Sequence, residues 1–174
     1  MAILGATGNA GRMAIQVAKR FGASQVIAVG RNTARLAELG ALGADRTCTF
    51  EQLDQAADVD VVIDYVWGET TGAAMRKILT NRADRAKPLT WVEIGAIAGP
   101  DAAIPADALR SARLQILGSG IGSVPGRDFV EELPKLAEAV ANGDFDVRAK
   151  AVPLVEVEEA WTSPDRSDRI VLVP

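Results

Sequence analysis

The residues with the clearest chemical meaning lie at the start of the chain. Residues 5–11 are Gly-Ala-Thr-Gly-Asn-Ala-Gly, which fits the dinucleotide fingerprint Gly-x-Gly-x-x-Gly with Ala6 at the first glycine position. In that motif, Gly8 lets the backbone approach a pyrophosphate and Gly11 lets a helix pack on its strand, while free N–H groups favour the phosphates. A purely structural tight turn is the alternative. The cofactor-binding residues predicted from this segment are Thr7, Gly8, Asn9, Ala10 and Gly11.

The residue 20 positions after Gly11 indicates which dinucleotide is bound. NAD sites usually place a carboxylate about 20 positions on, bonded to the ribose 2′-hydroxyl. Here that position is Arg31, within Gly30-Arg31-Asn32, and Arg35 follows four residues later, where it can face the same way. A guanidinium can bind a 2′-phosphate in bidentate fashion. The sequence therefore predicts NADP(H) rather than NAD(H) as cofactor; ordinary surface arginines are the alternative.

Short loops after three later predicted strands are further candidate contacts. They contain the tripeptides Val66-Trp67-Gly68, Ile94-Gly95-Ala96 and Gly118-Ser119-Gly120. The carboxyl ends of parallel strands open into the ligand crevice, and glycine there allows close backbone approach. Plain turn chemistry is the alternative. The additional cofactor-binding residues predicted here are Val66, Trp67, Ile94, Gly95 and Ser119.

Few side chains in this sequence can act as an acid, a base or a nucleophile. There is no histidine, which excludes His-dependent nucleophiles and His bases. Tyr65, the one tyrosine, is followed four residues later by Glu69 rather than by the lysine of a Tyr-x-x-x-Lys pair. The single cysteine, Cys48, excludes an intrachain disulfide and a Cys-rich zinc site. The sequence thus predicts no metal site, and it leaves the catalytic residue unknown.

Two chemically capable residues are expected to be structural. Cys48 lies on a short predicted strand, where a cysteine is usually a small buried apolar residue. Asp64 lies inside the apolar run 60–64, and we expect nearby backbone N–H groups to satisfy its carboxylate.

Composition limits the class of protein. The chain has 174 residues, 48% of them hydrophobic and 24% charged, which is typical of one globular domain. The net charge is −4, which argues against a nucleic-acid or anionic-membrane partner. No apolar run is long enough to span a membrane, and no signal-peptide pattern is present. The single cysteine fits a reducing compartment, so we expect a cytoplasmic protein.

Apolar segments alternate with segments of helical periodicity. The predicted strands are 1–4, 25–29, 47–50, 60–64, 89–94 and 114–117. This alternation is typical of βαβ units and predicts an α/β fold: a Rossmann-type, doubly wound, parallel six-stranded sheet with helices on both faces. Residues 1–146 form the predicted dinucleotide-binding domain. Residues 147–174 form a strand–helix–strand tail with no obvious place in that sheet.

The predicted helices follow the apolar spacing. Residues 10, 13, 14, 17, 18 and 21 have the spacing of one helix face. A second helix, capped by Asn32, is predicted to run to about Leu42. Later helices are predicted over 69–79 and 106–111, and another is marked by apolar residues between 129 and 140, kinked or started by Pro134.

Several segments together resemble the medium-chain dehydrogenase/reductase superfamily. They are residues 5–19, Leu-Gly-Ala-Asp at 42–45, Asp-Val-Val-Ile-Asp-Tyr-Val-Trp-Gly at 60–68, residues 94–100, 118–125 and 153–161. Within the superfamily they resemble most the zinc-independent, quinone-oxidoreductase-like branch, often labelled zinc-binding alcohol dehydrogenase-like. The resemblance implies an NADP(H)-binding domain of a reductase that transfers hydride from NADPH to a quinone, enone or aldehyde.

The resemblance also implies features that this sequence lacks. Family members begin with a separate catalytic domain, whereas here Met1 falls inside the first cofactor-domain strand, so we expect the catalytic domain to be missing. A fragment, a mis-started frame and a domain that works alone all fit.

The resemblance also implies a homodimer through the sixth strand, near Leu114–Leu117. Gly-Ala-Thr-Gly at the N-terminus also resembles atypical short-chain proteins, which leaves a non-catalytic NADP(H)-binding redox sensor as the alternative.

Overall fold

Six parallel strands form the central sheet of the protein. The computed structural model describes residues 1–163 and 169–174. The strands are β1 (Ala2–Leu4), β2 (Ile27–Val29), β3 (Arg46–Cys48), β4 (Val61–Asp64), β5 (Leu89–Glu93) and β6 (Leu114–Gly118). Their spatial order is β3-β2-β1-β4-β5-β6, and every neighbouring pair is parallel. This is the doubly wound order that reverses between β1 and β4, so the predicted Rossmann-type sheet is confirmed.

Helices pack on both faces of this sheet: α1 (Asn9–Arg20) and α2 (Thr33–Ala37) on one face, α3 (Gly68–Asn81) and α4 (Ala106–Ser111) on the other. A further helix, α5 (Gly126–Ala141), is largely exposed. Short 3₁₀ segments occupy 39–42, 50–56, 121–123 and 154–156. Within residues 1–163 and 169–174, every helix is too short or too polar to cross a bilayer.

Alternate residues along the strands pack in two separate hydrophobic cores, one on each face of the sheet. Ile3 packs with Ile15 of α1 and Leu36 of α2 on one face. On the other face, Leu4 and Trp91 pack with α3 and α4. Because successive strand residues point to opposite faces, β1 is buried on both sides, which explains its unbroken apolar sequence.

Two elements near the second strand differ from the prediction. The helix expected from Asn32 to Leu42 is only α2 followed by a 3₁₀ turn over 39–42. Gly40 lies in that turn, and glycine disfavours continuation of an α-helix. The third strand ends at Cys48 rather than at 50, because Thr49 and Gln52 form a reciprocal cap that starts a 3₁₀ segment at Phe50.

The start of α5 also differs. The helix begins at Gly126 and continues through Pro134 to Ala141, so the expectation that Pro134 starts it is wrong. Proline removes only one hydrogen bond, and the flanking turns carry the helix past it.

The C-terminal tail forms a separate two-stranded parallel sheet. Strands β7 (Ala149–Pro153) and β8 (Arg169–Val173) are joined through α6 (Val157–Thr162). The predicted strand–helix–strand order is therefore confirmed, and residues 164–168 of the predicted tail lie outside the described residues. The segment just before β7 is attached to α1, because Gln16 Nε2 donates to the Asp146 carbonyl at 3.0 Å and Gln16 Oε1 accepts from the Asp146 N–H at 2.7 Å.

Candidate functional site

A cleft of about 430 Å³ lies where the glycine turn meets the loops after β2, β4 and β5. This is the edge formed by the carboxyl ends of the strands, at the point where the strand order reverses. The predicted residues that line it are Thr7, Gly8, Gly30, Arg31, Asn32, Arg35 and Val66. The cleft therefore brings together seven residues from three separate segments of the predicted site.

The glycine turn is held by close packing of α1 on β1. A Cβ atom on Gly11 would lie 2.4 Å from the Gly5 carbonyl oxygen and 2.6 Å from Ala6 Cα. Gly5 itself has a φ of 78°, a conformation that favours glycine. The Gly8 N–H donates to the Gly5 carbonyl at 3.1 Å, which closes the turn. The first turn of α1 thus starts directly at the cleft, with its N–H groups available to an anion.

Two arginines flank the cleft on the side of β2. Arg31 and Arg35 are exposed, and neither forms an ion pair with any residue that the structure describes. Asn32 caps α2 by accepting a hydrogen bond from the Arg35 N–H at 3.1 Å, as predicted. A Cβ on Gly30 would lie 2.9 Å from Thr7 Cγ2, so glycine keeps the two loops close. Among the described residues, no carboxylate lies within ion-pair distance of Arg31 or Arg35 to neutralise the positive charge at this end of the cleft.

Five further residues of the cleft were not predicted. They are Gly5, Phe50, Thr70, Ile97 and Ala98. Gly5 belongs to the glycine motif, which is a signal that could have found it. Ile97 and Ala98 lie in the loop after β5, and Ala98 reaches the cleft because its N–H donates to the Val66 carbonyl at 2.8 Å. No periodicity or motif in the sequence predicts such a contact between two loops.

The other predicted site residues lie around the cleft rather than along it. Asn9 and Ala10 line an adjoining groove, and Gly11 is buried beneath the glycine turn. Trp67 is partly buried at the start of α3. Gly95 packs on Tyr65, with its hypothetical Cβ 3.3 Å from the Tyr65 carbonyl oxygen. Ser119 donates its N–H to the Glu93 carbonyl at 2.8 Å.

The adjoining groove is rich in arginine. It has a volume of about 260 Å³ and is lined by Asn9, Ala10, Arg12, Met13, Asp146, Val147, Arg148 and Arg169. The Arg12 side chain is 10% exposed, and its guanidinium lies 3.8 Å from Glu38 and 3.9 Å from Asp146. Arg148 donates to Glu38 at 2.7 Å. The tail therefore adds cationic side chains beside the first turn of α1.

A larger, apolar groove of about 600 Å³ runs along α1 on the other side of the glycine turn. Met13, Val17, Phe21 and Ile63 line it, together with the predicted site residue Ile94. Burial raises the pKa of the half-buried Tyr65 phenol, which also lines the groove. This surface has little polar chemistry, so the cleft with its arginines is the better candidate site.

Among the described residues, no group of three Cys, Asp or Glu side chains lies close enough together to hold a metal ion. The sequence has no histidine at all. The described part of this chain therefore does not supply a zinc site of the usual kind, which needs at least three protein ligands.

Cys48 is predicted to be unreactive in the folded protein. Its side chain is buried, and burial raises the pKa of its thiol from 9.0 to about 11. The thiolate fraction at neutral pH is then about a hundredfold smaller than for a free cysteine. We expect a chromogenic disulfide to modify Cys48 only after denaturant is added. Rapid modification of the native protein would contradict the buried position.

The strand order, the glycine turn and the cleft together define a Rossmann-type α/β domain of the class that accommodates dinucleotides. The chain belongs to the zinc-binding dehydrogenase family, whose family model matches residues 10–142. This confirms the predicted resemblance to the medium-chain dehydrogenase/reductase superfamily, and the matched part corresponds to its cofactor-binding domain.

Known proteins of this family are similar over nearly the whole chain. A probable NADPH-dependent quinone reductase, tdiC, from Emericella nidulans is 28% identical over 191 aligned residues, which cover 99% of this chain and 53% of that protein. The structure of a thermostable alcohol dehydrogenase from Pyrobaculum aerophilum matches with a TM-score of 0.75 and 26% identity, covering 99% of this chain and 49% of that one.

A third protein shares the fold at lower identity. The structure of a putative NADPH:quinone reductase from Bacillus thuringiensis matches with a TM-score of 0.74 at 16% identity, covering 99% of this chain and 55% of that one. The chain thus spans about half the length of the relatives it matches.

Proposed function

We propose that this chain is the NADP(H)-binding domain of an oxidoreductase that transfers hydride from NADPH to a quinone or enone. The observation that carries the proposal is the pair Arg31 and Arg35 at one end of the cleft, without an acidic partner among the described residues. NAD sites usually have a carboxylate at this place, which accepts a hydrogen bond from the ribose 2′-hydroxyl. The similarity to a probable NADPH-dependent quinone reductase supports the same cofactor.

The proposed roles follow from where each residue lies. Thr7, Gly8, Asn9, Ala10 and Gly11 form the turn and helix start that would hold the pyrophosphate. Arg31, Asn32 and Arg35, with Gly30 for close approach, would hold the 2′-phosphate. Val66, Trp67, Ile94, Gly95 and Ser119, in the loops after β4, β5 and β6, are assigned to the nicotinamide end.

The nicotinamide ring supplies the hydride when the cofactor is bound. The protein's part is to bind, orient and shield that ring. Positive charge at Arg31 and Arg35 would hold the 2′-phosphate, and this contact would help to fix the position of the whole dinucleotide. We assign no catalytic acid, because the described residues that line the cleft include no Asp, Glu, Lys, Tyr or Cys side chain.

The turnover test uses NADPH with a panel of quinones, enones and aldehydes. The loss of reduced-nicotinamide absorbance is followed for the 174-residue chain, with an equal concentration of heat-denatured protein as the matched blank. NADPH oxidation with any member supports a competent reductase. NADPH binding without oxidation across the panel favours a binding domain that needs further protein, or the redox-sensor alternative.

We also propose that two chains pair through β6. This strand is at one edge of the sheet, and its residue Leu117 is 43% exposed. Exposed strand edges favour pairing with another chain. Light scattering is expected to show a dimer, and a monomer over a wide concentration range would contradict this proposal.

Two further assignments are proposed with this function. Residues 1–146 form the dinucleotide-binding domain and residues 147–174 form the tail, which is supported by the separate β7–β8 sheet. A cytoplasmic location fits the single buried Cys48 and the supply of NADPH.

A further inference from the structure

The carboxylate of Asp64, at the end of β4, is the centre of a buried hydrogen-bond network. Its residue is 0% exposed. Oδ1 accepts from the Val66 N–H at 2.8 Å and from the Trp67 N–H at 3.0 Å. Oδ2 accepts from the Thr71 hydroxyl at 2.6 Å and from Trp91 Nε1 at 2.9 Å. Nearby backbone N–H partners are expected from the sequence, and two are present, whereas the two side-chain partners come from α3 and β5.

The network compensates a buried negative charge with neutral donors alone. Asp64 forms no ion pair with any residue in the described ranges. Burying a carboxylate is costly even when it is fully hydrogen-bonded, and an apolar residue would pack in the same core without that cost. The carboxylate must therefore provide something at the end of β4 that an apolar side chain cannot.

The carboxylate stabilises the unfavourable backbone turn at Val66–Gly68. Trp67 has a φ of 50°, the only positive value at a non-glycine position among the described residues, and Gly68 follows with 64°. Bulky residues rarely adopt such backbone angles unless surrounding contacts enforce them. Oδ1 of Asp64 binds the N–H of Val66 and that of Trp67, so it fixes the chain direction where the turn begins.

This turn forms one wall of the cleft. Val66 lines the cleft, and its carbonyl accepts from the Ala98 N–H at 2.8 Å. A Cβ on Gly68 would lie 2.6 Å from the Ala98 carbonyl oxygen, so the two loops are in direct contact. The backbone carbonyl of Asp64 also accepts from the N–H of Ile94 at 2.9 Å. The loops after β4 and β5 are therefore both anchored on Asp64.

We propose that Asp64 is a positioning residue for cofactor binding. It does not line the cleft itself; its carboxylate holds the Val66–Gly68 turn, and through it Ala98, in the shape that receives the dinucleotide. The assignment rests on the function proposed above. It gives the buried charge a role in affinity for the cofactor, beyond its contribution to the stability of the sheet.

The test compares Asp64→Ala with Thr71→Val. The first removes the acceptor that holds the turn, and the second is an isosteric control that removes one donor to Oδ2 and leaves both bonds to the turn. Folding is checked by circular dichroism. Amide hydrogen exchange at Val66, Trp67 and Ala98 reports the loops without cofactor, and calorimetry gives the dissociation constant for NADPH.

We expect Asp64→Ala to fold. Its exchange rates at these three amides, and its dissociation constant for NADPH, should each rise about tenfold or more. Thr71→Val is expected to leave both within about twofold. Wild-type exchange and affinity in Asp64→Ala would overturn the assignment. Equal losses in Thr71→Val would also overturn it, because they would indicate a general effect of the buried network.

Two outcomes need separate treatment. If Asp64→Ala does not fold, Asp64→Asn replaces it. A neutral amide oxygen holds the turn more weakly, so the exchange rates and the dissociation constant for NADPH should each rise about threefold. No change in either would overturn the assignment.

If the wild type itself binds no NADPH, the proposed function fails. Exchange at the three amides then decides the role of Asp64 in holding the loops: faster exchange supports it, and unchanged exchange overturns it.

Discussion

Gly11→Ala is expected to lower the free energy of unfolding by about 3 kcal/mol and to abolish NADPH binding. The new Cβ would lie 2.4 Å from the Gly5 carbonyl oxygen and 2.6 Å from Ala6 Cα, and both are backbone atoms that cannot rotate away. Alanine is the better helix former by about 1 kcal/mol, but the steric cost exceeds this gain. The helix must move away from β1, and the glycine turn that faces the phosphates moves with it.

Gly40→Ala is the matched control for this change. A Cβ on Gly40 meets no atom within 4 Å, and its backbone angles suit any residue. The unfolding free energy should change by less than about 0.5 kcal/mol. Urea unfolding followed by circular dichroism measures both variants. A Gly11→Ala protein as stable as Gly40→Ala, with unchanged NADPH affinity, would contradict the close packing of α1 on β1.

Arg31→Ala is expected to raise the dissociation constant for NADPH about 10- to 100-fold while leaving that for NADH within about twofold. The arginine is exposed at the cleft and forms no ion pair among the described residues. Its removal therefore costs little stability, and the effect should fall on the cofactor that carries a 2′-phosphate. Competition by adenosine bearing a 2′-phosphate, compared with the same compound lacking it, measures the loss directly.

The control for Arg31→Ala is Arg76→Ala. Arg76 is an exposed arginine on α3 and does not line the cleft, so its removal changes the net charge equally. If both variants weaken NADPH binding to the same extent, the effect is one of overall charge. If neither does, Arg31 is an ordinary surface arginine and the predicted preference for NADP(H) loses its basis.

The alternation of apolar and helical segments was enough to predict the main sheet. Strands β1 and β2 are buried on both faces, and their unbroken apolar composition reflects this burial. The glycine motif and the arginines after β2 could be predicted as one site because a short chain segment and one βαβ unit bring them together. Local sequence patterns are therefore sufficient to predict the first βαβ unit and the residues of its glycine turn.

The features of the structure that the sequence analysis did not predict depend on specific local caps or on contacts between residues distant in the chain. The 3₁₀ segment from Phe50 begins at the reciprocal Thr49–Gln52 cap, a local pattern that outweighs the apolar character of the predicted strand. Ile97 and Ala98 reach the cleft through a loop that packs on the turn after β4. Trp91 is 27 residues from Asp64, and only the completed sheet brings them to 2.9 Å. No single-sequence pattern contains such information.

The most direct test of the central claim is a calorimetric titration of the 174-residue chain with NADPH and NADH in parallel. The arginines at the cleft predict one bound NADPH per chain, with a dissociation constant at least about tenfold lower than that for NADH. Equal or tighter binding of NADH would contradict the role of Arg31 and Arg35. Binding of neither would show that the glycine turn and its cleft, in this chain, do not form a cofactor site.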